Sequence, residues 1–189
     1  TRSALDAGLL PDTIIQEGYL RGMEVVGQRF KAQEIWVPEV LMAAKAMNMG
    51  MEILAPLIKG QPKENRGKVV IGTVKGDVHD IGKMIFAVTL ESNGFRVEDL
   101  GVDVVKELFA EKVGEDSPDI LGMSALLSST APYMKEVIEE LKRRGLRGRV
   151  KVIVGGRAVT EEFAREIGAD AYGKDCIDGL KKCLCFTGA

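Results

Sequence analysis

Val69-Val70-Ile71-Gly72-Thr73-Val74 runs directly into Lys75-Gly76-Asp77-Val78-His79-Asp80-Ile81-Gly82-Lys83. The first six residues are a short β-prone apolar run, of the kind expected for a strand buried on both faces. The polar, glycine-bearing turn after it leads into an amphipathic stretch at 82–93 that reads as a helix. One strand, loop and helix in that order is the start of a β-α unit. The pattern then repeats: strand candidates follow at Arg96–Leu100, Asp119–Ser124, Val150–Val154 and Ala169–Tyr172, with helices at 104–115, 131–144, 160–167 and 176–185. Five such units imply a doubly wound, five-stranded parallel sheet of the flavodoxin-like (Rossmann-type) α/β class, with right-handed crossovers. Ligands of such sheets bind outside the carboxyl ends of the strands, at a switch in strand order.

Upstream the period changes. From Pro11 to about Ile58 apolar residues recur at helical spacing, with Ile15, Tyr19, Met23, Val26 and Phe30 on one face. Val40, Ala44, Met47, Met51, Leu54 and Ile58 mark a second face. Pro11-Asp12 and Val37-Pro38 are placed as helix starts, and Lys31–Val37 as the connection between them. Residues 1–60 therefore read as a small helical bundle, 61–67 as a Gly/Pro-bearing polar linker, and 68–189 as the α/β domain. The bundle is too small to be very stable alone, and a chain opening on Thr1 is expected to lack upstream residues.

Composition removes several functions. The 189 residues carry 26 Lys+Arg against 28 Asp+Glu, a net charge of −2, which gives no overall field for nucleic acid or an anionic membrane. No apolar run approaches the roughly 20 residues of a bilayer span, and no signal segment opens the chain, so a cytoplasmic location is expected. A single histidine excludes multi-histidine metal cages. Cys176, Cys183 and Cys185 crowd the end of the chain and form no disulfide framework. The pair Cys183 and Cys185 is more simply incidental than a metal site.

The loops at the strand ends carry the chemistry. Lys75–Lys83 is not a P-loop: five residues separate Gly76 from Gly82, and Met84 rather than Ser or Thr follows Lys83. It has no dinucleotide fingerprint either. What remains is Asp77 and His79 at i, i+2, which an extended stretch points to one side. A carboxylate there can accept the Nδ1–H and free Nε2 as ligand or base. A solvated loop histidine beside a surface aspartate has the same spacing, and spacing alone leaves that alternative open. The third strand ends in Ser124-Ala125-Leu126-Leu127-Ser128-Ser129-Thr130, where helix capping would account for Ser129 or Thr130 but poorly for Ser124 and Ser128. The fourth ends in Gly155-Gly156, either a plain turn or a place where a ligand reaches the backbone.

Taken together, Asp77-x-His79-x-x-Gly82, Ser124-x-Leu126 and Gly155-Gly156 resemble the three-part signature of cobalamin (vitamin B12) binding domains. Glu17-Gly18, Gly22-Met23, Val26-Gly27, Phe30 and Val37-Pro38-Glu39 are similar to the helical cap beside that domain in methionine synthase. A chain with both parts and no catalytic barrel looks like the small corrinoid proteins of anaerobic methyltransferase systems. The resemblance implies a cobalamin or related corrinoid bound base-off, with His79 Nε2 on the cobalt. Asp77 and Thr130 would form the relay behind it. Gly76, Val78, Asp80, Ile81 and Gly82 would line the cofactor with them. Ser124 and Ser128 would lie near the displaced lower base, with Gly156 and Cys176 along the nucleotide pocket and Leu126 and Gly155 also among the cofactor-binding residues. Glu17, Phe30 and Val37 would belong to the cap over the reactive face.

It further implies a methyl carrier. Cobalt(I) would accept methyl from a substrate-specific methyltransferase, a second methyltransferase would remove it, and a reductive activase would restore the carrier. Nucleic acid and membrane are not expected partners. Two other roles share the binding domain. A carbon-skeleton mutase subunit would lack the segment Glu17–Pro38, and a B12-dependent sensor would place a cap tryptophan, for which Trp36 is the only candidate. Family caps carry more helices than the pattern here supplies.

Overall fold

The computed structural model describes residues 1–58 and 66–188. The chain divides into two compact units, Thr1–Lys59 and Gly60–Ala189. Most of the proposed linker, 61–65, lies outside the described residues.

The first unit is helical: α1 (Arg2–Asp6), α2 (Pro11–Thr13), a π-helical segment (Ile14–Leu20), α3 (Arg21–Lys31) and α4 (Val37–Ile58). Pro11 opens α2 and leads the chain in, as its fixed φ favours. The stripe on α4 behaves as its spacing requires, since Met47, Met51 and Leu54 are buried. The first stripe holds along most of its length, with Ile15 buried and Tyr19, Met23 and Val26 half-buried, and ends at Phe30, which is exposed. Gly50 is buried on α4, and a side chain there would collide with the hydroxyl of Tyr19 from the π segment. Glycine thus lets the two helices meet.

The α4 stretch Pro38–Leu57 also corrects the expectation about apolar runs. By length (20 residues) and mean hydropathy (1.2) it is long and apolar enough to cross a bilayer. Scattered Glu39, Lys45 and Glu52 hide this in the raw sequence, while Leu, Met, Ile and Ala keep the mean high.

The second unit alternates β1 (Lys68–Thr73), α5 (Ile81–Ser92), β2 (Arg96–Asp99), α6 (Lys106–Asp116), β3 (Ile120–Ser124), α7 (Tyr133–Arg143), β4 (Lys151–Gly155), α8 (Glu161–Ile167), β5 (Ala171–Gly173) and α9 (Cys176–Thr187). All strand pairs are parallel, in the order β2-β1-β3-β4-β5. This is the flavodoxin-like order, and its switch point falls between β1 and β3. Alternation along each strand feeds two cores. Val70, Leu121, Val152 and Val154 pack on one side with Phe109, Val137 and Ile138; Val69, Ile120 and Ile153 pack on the other with Leu90, Phe95 and Cys183. The strand β5 begins two residues later than its sequence pattern suggests, because the Asp170 carboxylate binds the Val152 amide at 2.7 Å and Arg147 at 2.7 Å.

Candidate functional site

The loops after β1 and β3 flank the switch point, and the register places Thr73 beside Ser124 at their ends. Beyond Thr73 the chain turns sharply: the Asp77 amide donates to the Val74 carbonyl at 3.1 Å, with Gly76 at φ +81°. That geometry drives the Asp77 side chain inward, where it is fully buried. Its Oδ1 accepts from the His79 amide at 3.1 Å and lies 2.7 Å from His79 Nδ1. Its Oδ2 accepts from the amides of Leu126 at 2.8 Å and Leu127 at 3.2 Å, and from the Thr130 hydroxyl at 2.7 Å. Thr130 Oγ1 also lies 3.0 Å from the Leu127 carbonyl. With one proton to give, the hydroxyl favours the shorter contact to a charged acceptor.

Burial alone would raise the Asp77 pKa. Hydrogen bonds from Thr130, from the His79 ring and amide, and from the Leu126 amide outweigh it and hold the carboxyl well below the usual range. An ionised carboxylate only accepts, so the proton of a neutral His79 sits on Nδ1 and the lone pair on Nε2. The ring is 44% exposed, and Thr73 Oγ1 donates to the His79 carbonyl at 3.2 Å from below. The arrangement can present one oriented imidazole nitrogen outward, with its other nitrogen fixed. Among the described residues no cluster of three or more His, Cys, Asp or Glu could hold a metal by itself.

The remaining residues fall into distinct places. Asp80 is the N-cap of α5 without a side-chain cap bond, Ile81 opens the helix, and Val78 is exposed. A Cβ at Gly82 would meet nothing within 4 Å, so the protein's own packing does not demand glycine there. Ser124 is half-buried at the end of β3, and Ser128 is exposed in the following turn. Helix capping fails as an account of Thr130, because Pro132 caps α7 and no side chain does so. Gly156 has φ +114°, and a Cβ there would overlap the Ala125 carbonyl. Its first requirement is thus close packing of β4 on the β3 loop rather than ligand approach alone. A Cβ on Gly155 would lie 3.0 Å from the Gly173 carbonyl oxygen. Cys176 is half-buried in the first turn of α9.

In the helical unit Glu17 is exposed on the π segment, 3.6 Å from Arg21, and Phe30 is exposed. Val37 begins α4, but its side chain lies outside the described residues. Cys183 is buried and Cys185 exposed on the same helix, so they face apart and make no ligand pair. Sequence reasoning missed the backbone amides of Leu126 and Leu127, which carry no side-chain signature. It also gave no role to Lys83, which is buried and paired with Asp99.

A ring of exposed apolar side chains surrounds this edge: Val78 after β1, Val102 and Val105 after β2, Leu126 and Leu127 after β3, and Ile177 after β5. Apolar exposure gathered on one edge marks a binding surface. Fold and site together define a parallel α/β protein whose strand ends present one oriented imidazole nitrogen among exposed apolar side chains.

The comparisons give the family. Residues 67–181 match the family described as the B12 binding domain, and residues 1–55 match a second family of the same description. The trimethylamine corrinoid protein 1 of Methanosarcina acetivorans is 44% identical over 181 residues, covering 95% of this chain and 84% of that one. The monomethylamine corrinoid protein of Methanosarcina barkeri superposes with a TM-score of 0.90 at 36% identity, covering 97% of this chain and 87% of that one. The methanol:cobalamin methyltransferase complex MtaBC of the same organism gives 0.63 at 33% identity, covering 100% and 72%. The chain belongs to the cobalamin-binding corrinoid proteins of methyltransferase systems. The match over 1–55 takes in most of α4, which makes that apolar helix part of a family domain.

Proposed function

We propose that this chain is a methyl carrier that holds a corrinoid base-off, with His79 Nε2 as the lower axial ligand. The observation that carries this reading is the Asp77–His79 contact of 2.7 Å in a chain with one histidine. A corrin ring brings its own equatorial nitrogens, so one imidazole is a sufficient protein donor. When bound, the corrinoid supplies a cobalt that takes a methyl group from a substrate-specific methyltransferase and yields it to a second one.

The chain's own residues prepare that centre. Asp77, kept ionised by its donors, fixes the tautomer of His79 and leaves the lone pair on Nε2. Thr130 and the Leu126 and Leu127 amides hold the carboxylate so that the ring cannot swing. Val78, Leu126 and Leu127 exclude water around the ligand edge. The open space at Gly82 and the half-buried Ser124 leave room beside the switch point for the displaced lower base. On this reading residues 1–60 form the cap, with Glu17, Phe30 and Val37 on the reactive side, and the cap moves aside for each partner. Partners are the two methyltransferases and a reductive activase; a cytoplasmic location suits them.

Anaerobic reconstitution with a corrinoid, followed by absorption spectra of wild type and His79→Ala, tests the ligand. Loss of the histidine-ligated spectrum in the variant is expected, and identical spectra would overturn the axial assignment. Consumption of methyl iodide by the reduced, loaded protein tests the carrier role. No consumption would remove it.

A further inference from the structure

The loop joining β2 to α6 touches the histidine loop at several points, and one contact is unusual. Asp103 stands in the left-handed region at φ +56°, a conformation L side chains rarely adopt. Its Oδ1 accepts from the Gly76 amide at 2.7 Å, and its own amide donates to the Asp77 carbonyl at 3.0 Å. Gly76 is the second central residue of the turn that Val74 and Asp77 close, and its φ of +81° is that of a type II turn. The N–H that Asp103 accepts belongs to the peptide between Lys75 and Gly76, the central peptide of that turn. Flipping that peptide converts type II towards type I and takes the Gly76 N–H away from Asp103, whose own amide ties the same loop directly to Asp77.

The other end of the same loop is anchored as well. Asp99 pairs with Lys83, a buried cation in the first turn of α5, where the helix dipole disfavours positive charge. Asp99 Oδ1 also accepts from the Gly101 amide at 2.9 Å, and the Gly101 carbonyl accepts from the Thr73 amide at 3.0 Å. Residues 99–103 thus grip the chain before His79, at Gly76 and Asp77, and after it, at Lys83.

We propose that Asp103 is a positioning residue for His79: its carboxylate, accepting from Gly76, holds the 74–77 turn in the form that sets Asp77 against the imidazole. The functional consequence rests on His79 being the axial ligand; the positioning itself concerns the chain without its cofactor. Three variants separate the acceptor from the backbone. Asp103→Asn keeps a side-chain oxygen and tolerates the left-handed conformation, Asp103→Gly keeps only the conformation, and Asp103→Ala keeps neither.

The readout is the ¹⁵N imidazole signal of the corrinoid-free chain at about pH 8.5, above the ordinary imidazole range. With one histidine in the chain it needs no assignment. Wild type and Asp103→Asn should show the Nδ1–H tautomer alone. The Gly and Ala variants should show mixed tautomers and bind aquocobalamin about tenfold more weakly, the lower end of the effect of outer-layer substitutions on metal affinity. Thermal melting identifies a variant that has merely lost its fold; if Ala does, the Gly–Asn comparison decides. An Asp103→Gly spectrum like wild type, or an Asp103→Asn spectrum like that of Gly, overturns the proposal. If His79→Ala shows that histidine is not the ligand, the tautomer difference survives and only the affinity difference disappears.

Discussion

Asp77 and Glu140 are both buried carboxylates, yet different neighbours hold their charge. Around Asp77 the donors are a hydroxyl, an imidazole and main-chain amides, none of them a permanent cation. Such a setting keeps the carboxylate ionised without neutralising it, so its charge remains available to the ring it orients. Glu140 is answered instead by the guanidinium groups of Arg143 at 2.6 Å and Arg144 at 2.6 Å, which lower its pKa to about 2. The sign of its contribution follows. A carboxylate whose native pKa lies below its usual 4.5 stabilises the fold above that value, and the benefit is lost as pH falls towards about 2. Glu140→Gln should therefore melt below wild type at pH 7, with the gap closing progressively between about pH 4.5 and about pH 2. Thermal melts followed by circular dichroism at several pH values measure it, and a gap constant with pH would contradict this origin. Arg143 is largely exposed, so the neutral-pH gap should be small.

At the scale of elements, what the sequence discloses depends on whether a pattern has a period. The strands and helices of the α/β unit are legible because burial on two faces forces apolar runs at β1, β3 and β4 and a helical stripe between them. Asp77 and His79 can be picked out because their types and spacing suggest a contact. Leu126 and Leu127 act through amides that any residue would supply, so nothing in their side chains announces it. The π segment is invisible for a related reason: a widened turn changes no residue type, so the stripe through Ile15, Tyr19, Met23 and Val26 reads as an ordinary helix. Gly156 is an instructive mixture. Its glycine is visible in the sequence, but the Ala125 carbonyl that requires it belongs to a loop some thirty residues earlier in the chain. Gly156→Ala meets both a left-handed φ of +114° and that carbonyl, so β4 must withdraw from the β3 loop. We expect a loss of about 3 kcal/mol or more, among the large effects of single substitutions. A melting point lowered by less than a few degrees would show that the junction yields easily.

For the molecule as a whole, the two units are built to unequal depth. Both apolar clusters of the described residues belong to the α/β unit, where Val69, Val70, Ile120, Leu121 and Val152 are completely enclosed. In the helical unit the buried apolar residues are Ile14, Ile15, Met47, Met51 and Leu54, while Leu10, Trp36, Met42 and Met49 are exposed among those described. Local opening is easiest where few apolar contacts must break, and amide exchange reads it directly. In the protein without corrinoid, amides of β1, β3 and β4 should exchange only with global unfolding, whereas those of α3 and α4 should exchange orders of magnitude faster. Comparable protection in the two units would overturn this ranking. Adding a corrinoid extends the comparison. If residues 1–60 cap the ligand, its binding should slow exchange along the helices that carry Phe30 and Met42 as well as in the loop 75–82. Slowing confined to that loop and the β3–α7 turn would mean that the helical unit takes no part in holding the cofactor.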